Sequence, residues 1–339
     1  MNVRVAGLHD VEKWNDFAQE NSGSVFHAFE WGDVIEHAFD YRRVYLIAED
    51  DGGVAGILPF FYLKGFFSGR RLVSLPVSDV GGPVGTKEAV HELFESAQQL
   101  MVDFCADYVE VKSLVREEDY VPGREYVTFK LTLPSSEDEL LGVIGKKNRN
   151  LVRKAEKEGV TVEEVKDASG VDEFYGAYSK TMKDLGTPPY PKKFYGYIQK
   201  ILTAKNKAKI LLAKKGDDTV GGAVFLKFGE TTYYFTGVSP YKYRNYASNT
   251  LLVYAGLAQS VKEKSSVFDF GRTQTQGVYN FKRDWGGKEE KMIYCYKLLD
   301  PEKKIPGGKI QKLTPLWRKL VPLKIANTIG PQIRRNFGF

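Results

Sequence analysis

The sequence predicts an α/β protein of two similar units, each a mixed sheet flanked by helices. Three observations predict it. Stretches with helical spacing alternate with strand-like runs along the whole chain. A length of 339 residues exceeds what one ordinary domain core organises. One β-hairpin also occurs twice: Val44-Tyr45-Leu46-Ile47-Ala48, a polar turn and Val54-Ala55-Gly56-Ile57 recur as Lys209-Ile210-Leu211-Leu212-Ala213, a turn and Val220-Gly221-Gly222-Ala223. The offset is about 165 residues, the period expected of a duplicated unit. The expected division is 1–134, 135–302 and a basic tail, 303–339.

Val3 to Val5 is an expected strand, and Asp10 an expected N-cap for a helix with Val11, Trp14, Phe17 and Ala18 on one face. Trp31, Val34, Ile35, Ala38 and Phe39 set a second helix from Phe29. Arg43 to Ala48 and Val54 to Leu63 flank the turn residues Glu49-Asp50-Asp51-Gly52-Gly53. Arg71 to Leu75 leads into Pro76-Val77-Ser78-Asp79-Val80-Gly81-Gly82-Pro83, a loop of turn formers. Lys87 to Phe104 is helical; Tyr108 to Lys112 and Tyr126 to Leu133 are strands.

At Ser135 the order begins again. A helix capped there runs through Ile144, and a second one, Lys146 to Glu158, carries six Lys or Arg against two Glu before Gly159 closes it. Val160 to Val165 is a strand, and helices Val171 to Leu185 and Lys192 to Leu202 flank Gly186-Thr187-Pro188-Pro189-Tyr190-Pro191. Strands Lys209 to Lys214, Thr219 to Phe228 and Thr231 to Val238 precede a helix, Tyr246 to Glu263. Ser266 to Phe270 is a short apolar strand around one acid. It breaks at Gly271 into a polar loop, a helical turn follows from Val278, and Gly286-Gly287 ends it before a last strand, Glu290 to Leu298.

Composition narrows the chemistry. Cys105 and Cys295 lie far apart, which excludes a Cys-based zinc site and a disulfide scaffold and suits a reducing cytosol. His9, His27, His37 and His91 show no metal-ligand spacing, so no metal and no tightly bound cofactor are expected. Met1 to Asp10 lacks the basic start and apolar run of a leader, and Val54 to Leu63, the longest apolar run, is too short to span a bilayer. The chain contains no G-x-S-x-G, Walker A, H-E-x-x-H or strand-linked G-x-G-x-x-G. Asp269-Phe270-Gly271 imitates a kinase tripeptide without the glycine loop or His-Arg-Asp that would accompany it.

The chemistry is expected at Phe268 to Gly286. A strand that opens into Asp269, Arg272, Gln276 and Lys282 sets hydrogen-bonding and cationic groups at a sheet's open end, where α/β proteins bind ligands. The plain alternative is a β–α connection with solvated charges.

These residues also resemble a family. The duplicated unit, the basic linking helix and the late Asp-Phe-Gly-Arg…Gly…Phe-Lys…Trp-Gly string are similar to the Fem-type transferases, most of all to FemAB-related proteins found beside exopolysaccharide and exosortase systems. Further likeness lies in Phe26-His27…Trp31, Leu72-Val73-Ser74-Leu75-Pro76 with Gly81-Gly82-Pro83, Lys147 to Ala155, Leu185-Gly186-Thr187-Pro188 and Trp317 to Leu323. The resemblance implies two acetyltransferase-like (GNAT) domains and transfer of an acyl or aminoacyl group onto an amine. In its peptidoglycan-building members the donor is an aminoacyl-tRNA, and Phe-Lys at the place of Phe281-Lys282 steadies charge at the reacting carbonyl. Those members carry an aspartate shortly after Gly-Pro; here Pro83 is followed by Val84, Gly85 and Thr86, which leaves the acceptor open.

On that reading Lys282 holds the oxyanion, and Asp269 or Asp79 takes or orients the amine proton; loop bracing is the alternative for both acids. Substrate contacts are expected from Trp31, Tyr190, Arg272, Gln276, Phe281 and Trp285. Lys147, Arg149, Asn150 and Arg153 on the basic helix, with Lys146 and Lys154, suit the phosphates of tRNA or of a nucleotide-linked precursor, or are simply a solvated face. Arg244, Asn245, Ala247 and Asn249 lie between a strand and a helix, where the GNAT fold holds a donor's pyrophosphate, although the full glycine-rich pattern is absent. The expected donor is a charged tRNA or acyl-CoA, and the acceptor a nucleotide- or lipid-linked envelope precursor. An ordinary acyl-CoA N-acyltransferase for an amino sugar or small amine, or a non-catalytic tRNA- or membrane-binding module, are the competing readings.

From Lys303 onward there are nine Lys or Arg and no acid, so residues 1–302 are net acidic within a chain of formal charge +6. Ile310, Leu313, Leu316, Trp317 and Leu320 share a helical face, with Lys312, Arg318, Lys319 and Lys324 elsewhere. That pattern predicts a contact at the inner face of the membrane by a cytoplasmic protein, or docking of the tail on the second unit.

Overall fold

The computed structural model describes residues 1–66, 68–113, 120–273, 275–299 and 314–337. The first elements are β1 (Asn2–Val5), α1 (Val11–Glu20), α2 (Phe29–Phe39), β2 (Arg42–Asp50), β3 (Gly53–Gly65), β4 (Gly69–Ser74), β5 (Val84–Gly85), α3 (Lys87–Asp103), β6 (Tyr108–Ser113) and β7 (Val121–Thr132). The second series is α4 (Glu137–Val143), α5 (Lys146–Lys157), β8 (Thr161–Glu164), α6 (Ala168–Leu185), α7 (Lys192–Tyr197), β9 (Ala208–Lys215), β10 (Asp218–Phe228) and β11 (Thr231–Val238). It continues as α8 (Ser248–Lys262), β12 (Val267–Asp269), α9 (Gln276–Arg283), β13 (Lys288–Leu298), α10 (Thr314–Leu320) and α11 (Leu323–Phe337).

Unit 1 is built on Met1–Tyr126 and takes in later chain from Lys291 and from Gln332; unit 2 is built on Val127–Glu290 and takes in residues up to Pro331. In unit 1 the strands run β1-β2-β3-β4-β6-β13, with β5 beside β3. Every pair is antiparallel except β4 with β6. Unit 2 runs β8-β9-β10-β11-β12-β7, antiparallel except β11 with β12. The two topologies match strand for strand. In unit 1 the last strand, β13, returns from beyond unit 2, so the units are interleaved in sequence.

The repeated hairpin matches at the level of single residues. Ala48 faces Gly56 as Ala213 faces Gly221, and each ladder skips one residue, Ala55 in β3 and Val220 in β10. Such a bulge adds local twist. The glycine beyond it lets a helix close in: a Cβ at Gly56 would lie 2.8 Å from the Ala89 Cβ of α3, and one at Gly221 would lie 3.0 Å from the Ser248 hydroxyl of α8. The unit 1 core is the face of α3 (Leu93, Phe94, Ala97) against Leu46, Leu58, Phe60 and Val109. In unit 2, Val152 of α5 and Leu252 and Leu257 of α8 pack on Phe225, Phe268, Phe270 and Trp285.

Asp10 is not the side-chain cap its position suggested. It sits in a short 3-10 turn with helical backbone and makes no cap bond to α1. Its fully buried carboxylate accepts two bonds from Arg4, both 2.8 Å, and one from the Gly7 N–H at 2.7 Å. The Arg4 guanidinium holds the carboxyl well below the usual carboxylate range. His27 is buried too: Nδ1 accepts from the Ser24 N–H at 3.1 Å, so Nε2 carries the proton toward the Gly82 carbonyl at 2.9 Å. Burial lowers its pKa to about 4. Both groups are depressed, so the unfolded chain binds more protons on the acid side and each contribution shrinks as pH falls. For His27 the loss runs from its ordinary value near 6.5 down to about 4. For Asp10 it begins near 3.8 and continues below. The expected result is a stability-versus-pH curve whose acid limb flattens in Asp10→Asn and in His27→Gln, measured by urea unfolding at stepped pH.

Candidate active site

The site in unit 2 begins where two parallel strands part. β11 pairs β12 only at Thr231, Thr232 and Tyr233, opposite Val267, Phe268 and Asp269. Beyond that point β11 runs on to Val238, whereas the chain after Asp269 follows β7: the Phe270 N–H bonds the Phe129 carbonyl at 2.9 Å and the Thr273 N–H bonds Val127 at 2.8 Å. A gap in a sheet's hydrogen bonding at its open end exposes backbone groups to a ligand.

A bulge at Phe235 turns the free end of β11, since Val224 pairs Thr236 while Phe225 pairs Tyr234. The Tyr234 hydroxyl donates to Asn249 Oδ1 at 2.9 Å, tying this strand to the first turn of α8. Burial pushes the Tyr234 phenol upward. Gly237 is required beside it, because a Cβ there would lie 1.5 Å from the Tyr234 hydroxyl and 2.9 Å from Asn249 Oδ1. Gly237→Ala is therefore expected to displace Tyr234 and cost about 1–3 kcal/mol as an overpacked site. Thermal melts check this.

Lys282 of α9 is buried against the loop that leaves β12. Its Nζ donates to the carbonyls of Gly271 at 2.8 Å and Arg272 at 2.9 Å, so the side chain is fixed inside that loop. Asp269 braces the same loop, accepting from the Thr128 hydroxyl and, at 2.8 Å, from the Gly271 N–H. Gly271 takes φ of +69°, which suits glycine at the break. Thr275 caps α9 by accepting from Val278 N–H at 3.4 Å. Behind it Phe270 stacks on Trp285 with centroids 6.1 Å apart, and Phe281 meets Trp285 edge-on at 6.3 Å. Trp285 is fully buried, so it supports the wall of the site from the core side.

The N-terminus of α8 lies at the end of the same gap. Its N-cap is Ala247 in the left-handed region, φ +54°, with no side-chain cap and no acid in the first turn. Arg244 is exposed and its guanidinium lies 4.8 Å from the Tyr241 ring; Asn245 is exposed beside it. Unit 1 is built differently at the equivalent place. There Thr86 caps α3 by accepting from Ala89 N–H, and Glu88 adds negative charge. The gap beyond β4 is filled by the loop after Ser74: buried Lys112 donates to the carbonyls of Leu75 at 3.0 Å and Ser78 at 3.1 Å, and the Gly81 N–H returns to the Lys112 carbonyl at 3.0 Å. Among the described residues, an open gap with an uncapped helix start therefore belongs to unit 2, and a closed one to unit 1.

The remaining predicted residues are scattered. Trp31 is fully buried in unit 1, with its indole N–H on the Ser78 hydroxyl at 2.7 Å. Asp79 is half-buried there, and its backbone carbonyl accepts from the Tyr294 hydroxyl at 3.1 Å. Arg149 closes the end of α4, donating to the carbonyls of Leu141 at 2.7 Å and Ile144 at 3.1 Å. Lys147 pairs with Asp284 at 2.6 Å and holds that carboxyl below its usual range. Asn150 and Arg153 are exposed, and Gln276 bonds Asn280 at 3.1 Å on the open face of α9. Tyr190 stacks on Tyr178, and its carbonyl accepts from Tyr175 at 3.0 Å. Sequence reasoning missed Lys112, Thr128, Tyr234 and Gly237; a glycine inside a strand was the one available signal among them.

Residues 145–283 match the acetyltransferase (GNAT) domain. No curated protein matches the chain significantly in sequence. Among solved structures it is similar to FemX, at 16% identity over 94% of this chain and 100% of that one, with a TM-score of 0.68. It is also similar to L-PGS from Bacillus licheniformis, at 13% identity over 91% and 96%, TM-score 0.54. A tandem GNAT protein from the clavulanic acid biosynthesis pathway matches at 10% identity over 89% and 100%, TM-score 0.56. Identities this low carry the fold alone. The domain match falls on unit 2, the unit with the open gap.

Proposed function

We propose that this chain, whose residues 145–283 match the GNAT domain and whose two units share the fold of a tandem GNAT protein, is an acyltransferase that moves an acyl or aminoacyl group to the amine of a cell-envelope precursor. The observation that carries the proposal is Lys282, a buried side chain fixed by two backbone carbonyls at the point where β11 and β12 part. In aminolysis the amine nitrogen attacks the donor carbonyl, its C–S or C–O bond breaks, and the amine's proton passes to a base or to water. Negative charge gathers on the carbonyl oxygen meanwhile, and a pre-positioned cation lowers that barrier without reorganising. Lys282 supplies the cation. Asp269 acts as its positioning residue, because its carboxylate shapes the Gly271 turn that Lys282 reads.

The donor lies along the open edge of β11 with its phosphate end at the uncapped start of α8, near Arg244, Asn245 and Asn249. Acyl-CoA fits that track, and its backbone-bonding arm would complete the edge of β11. An aminoacyl-tRNA would in addition use the exposed face of α5. Mass spectrometry of amino-sugar and precursor-peptide acceptors, incubated with either charged tRNA or acetyl-CoA, tests the proposal. A product with one donor names it; folded protein that yields no product with either, across those acceptors, overturns the reading.

A further inference from the structure

Only part of the tail's expected amphipathic segment lies within the described residues; Ile310, Lys312 and Leu313 fall outside them. What is described divides into two faces. The inward face is committed to unit 2. Lys183 donates to the last carbonyls of α10, Trp317 at 3.2 Å and Arg318 at 2.6 Å, and Trp317 is half-buried, while Leu316 and Leu320 of the same expected face are exposed. Ala326 of α11 is 1% exposed, and a Cβ at Gly330 would fall 2.4 Å from the Pro189 ring.

The outward face is apolar where a solvated helix would be polar. Leu316 and Leu320, one turn apart on α10, are 55% and 66% exposed; Ile325 and Ile329, one turn apart on α11, are 49% and 37% exposed. Arg318, Lys319 and Lys324 are exposed among them, and the sequence from Lys303 onward has no acid. No helix among the described residues is long and apolar enough to cross a membrane. We infer that α10 and the first part of α11 form a docking surface for an anionic lipid bilayer, with the four aliphatic side chains entering the headgroup boundary and the cations meeting lipid phosphates. Charge complementarity selects this occupant. A second copy of the chain would bring the same acid-free face against itself, and like charges would repel across the contact. Vesicle binding needs no turnover, so the inference stands whether or not the proposed reaction is right.

The test uses the full chain with vesicles of phosphatidylcholine alone and vesicles containing a quarter phosphatidylglycerol. Sedimentation should carry the protein down with the anionic vesicles only, and less so as salt shortens the screening length. Leu316→Ser/Leu320→Ser, Ile325→Ser/Ile329→Ser and Lys319→Glu/Lys324→Glu should each weaken binding roughly tenfold or more, and the lysine pair, being exposed, should do so with thermal unfolding unchanged. Absence of binding to anionic vesicles at low salt overturns the inference, as does binding that survives all three double variants. A dimer lost in Leu316→Ser/Leu320→Ser, without vesicle binding, would assign the face to self-association instead.

Discussion

Lys282→Ala is expected to lower kcat about 10²–10³-fold while donor KM changes little, the signature of losing a group that acts on the transition state. The same change has a structural cost. The Gly271 and Arg272 carbonyls lose their shared donor inside a buried loop, and an unsatisfied buried acceptor costs about 1–3 kcal/mol. Partial rehydration of the loop would bring the total toward the lower end. Activity and melting must therefore be measured together, with kinetics taken well below both transitions. Lys282→Met keeps the stem without the charge and should be as inactive as alanine. Lys282→Arg keeps a cation and should recover part of kcat. If all three variants, held cold and folded, turn over at the wild-type rate, Lys282 is a loop brace and the proposed oxyanion contact is wrong.

Reversing charge on α5 is the second large effect. Along this helix Lys146, Arg153, Lys154 and Lys157 are exposed with Asn150, while Asn148, Val152 and Ala155 are buried on the opposite side. Lys147 is exposed too but paired with Asp284, and Arg149 is turned onto the carbonyls of α4. A nucleic-acid donor would lay phosphates along the exposed row and release counterions there. The triple variant Lys146→Glu/Arg153→Glu/Lys157→Glu should then lose more than about 100-fold in tRNA affinity, and the slope of log affinity against log salt should fall by roughly 2–3. Turnover with acyl-CoA should stay within about twofold, since a single small ligand cannot span the row. Filter binding across a salt series reads the first result and a thiol-release assay the second. Unchanged tRNA affinity would make the row an ordinary solvated surface and leave acyl-CoA as the donor.

Several parts of the site were legible in the residues themselves. The string from Phe268 to Gly286 showed a strand, a glycine break, a helical turn and a lysine, and that is the order found; the Thr275 cap and the start of the helix at Gln276 were not foreseen. Local signals suffice for that because they depend on neighbours within a few positions. The same string could not reveal that Trp285 is wholly buried or that Lys282 turns inward onto two carbonyls. A lysine on a short polar helix is ordinarily solvated, and only the returning loop makes burial affordable. Asp10 holds the expected N-cap position without making the cap bond. Arg4, arriving from β1, offers a stronger partner than the helix N–H groups do.

The duplication of the hairpin, the series of elements and the chemical character of the late string were determined by the sequence alone, because periodicity and turn chemistry act over short spans of chain. Which strand completes each sheet was decided by tertiary structure. β7 finds β12 and β13 finds β6 because an open edge accepts whichever strand fits its register, however distant in sequence. So was the difference between the two gaps: Lys112 and the loop it holds close one, while the chain leaving Asp269 along β7 opens the other. That difference follows from which backbone groups find partners across the fold, and no window of residues records it.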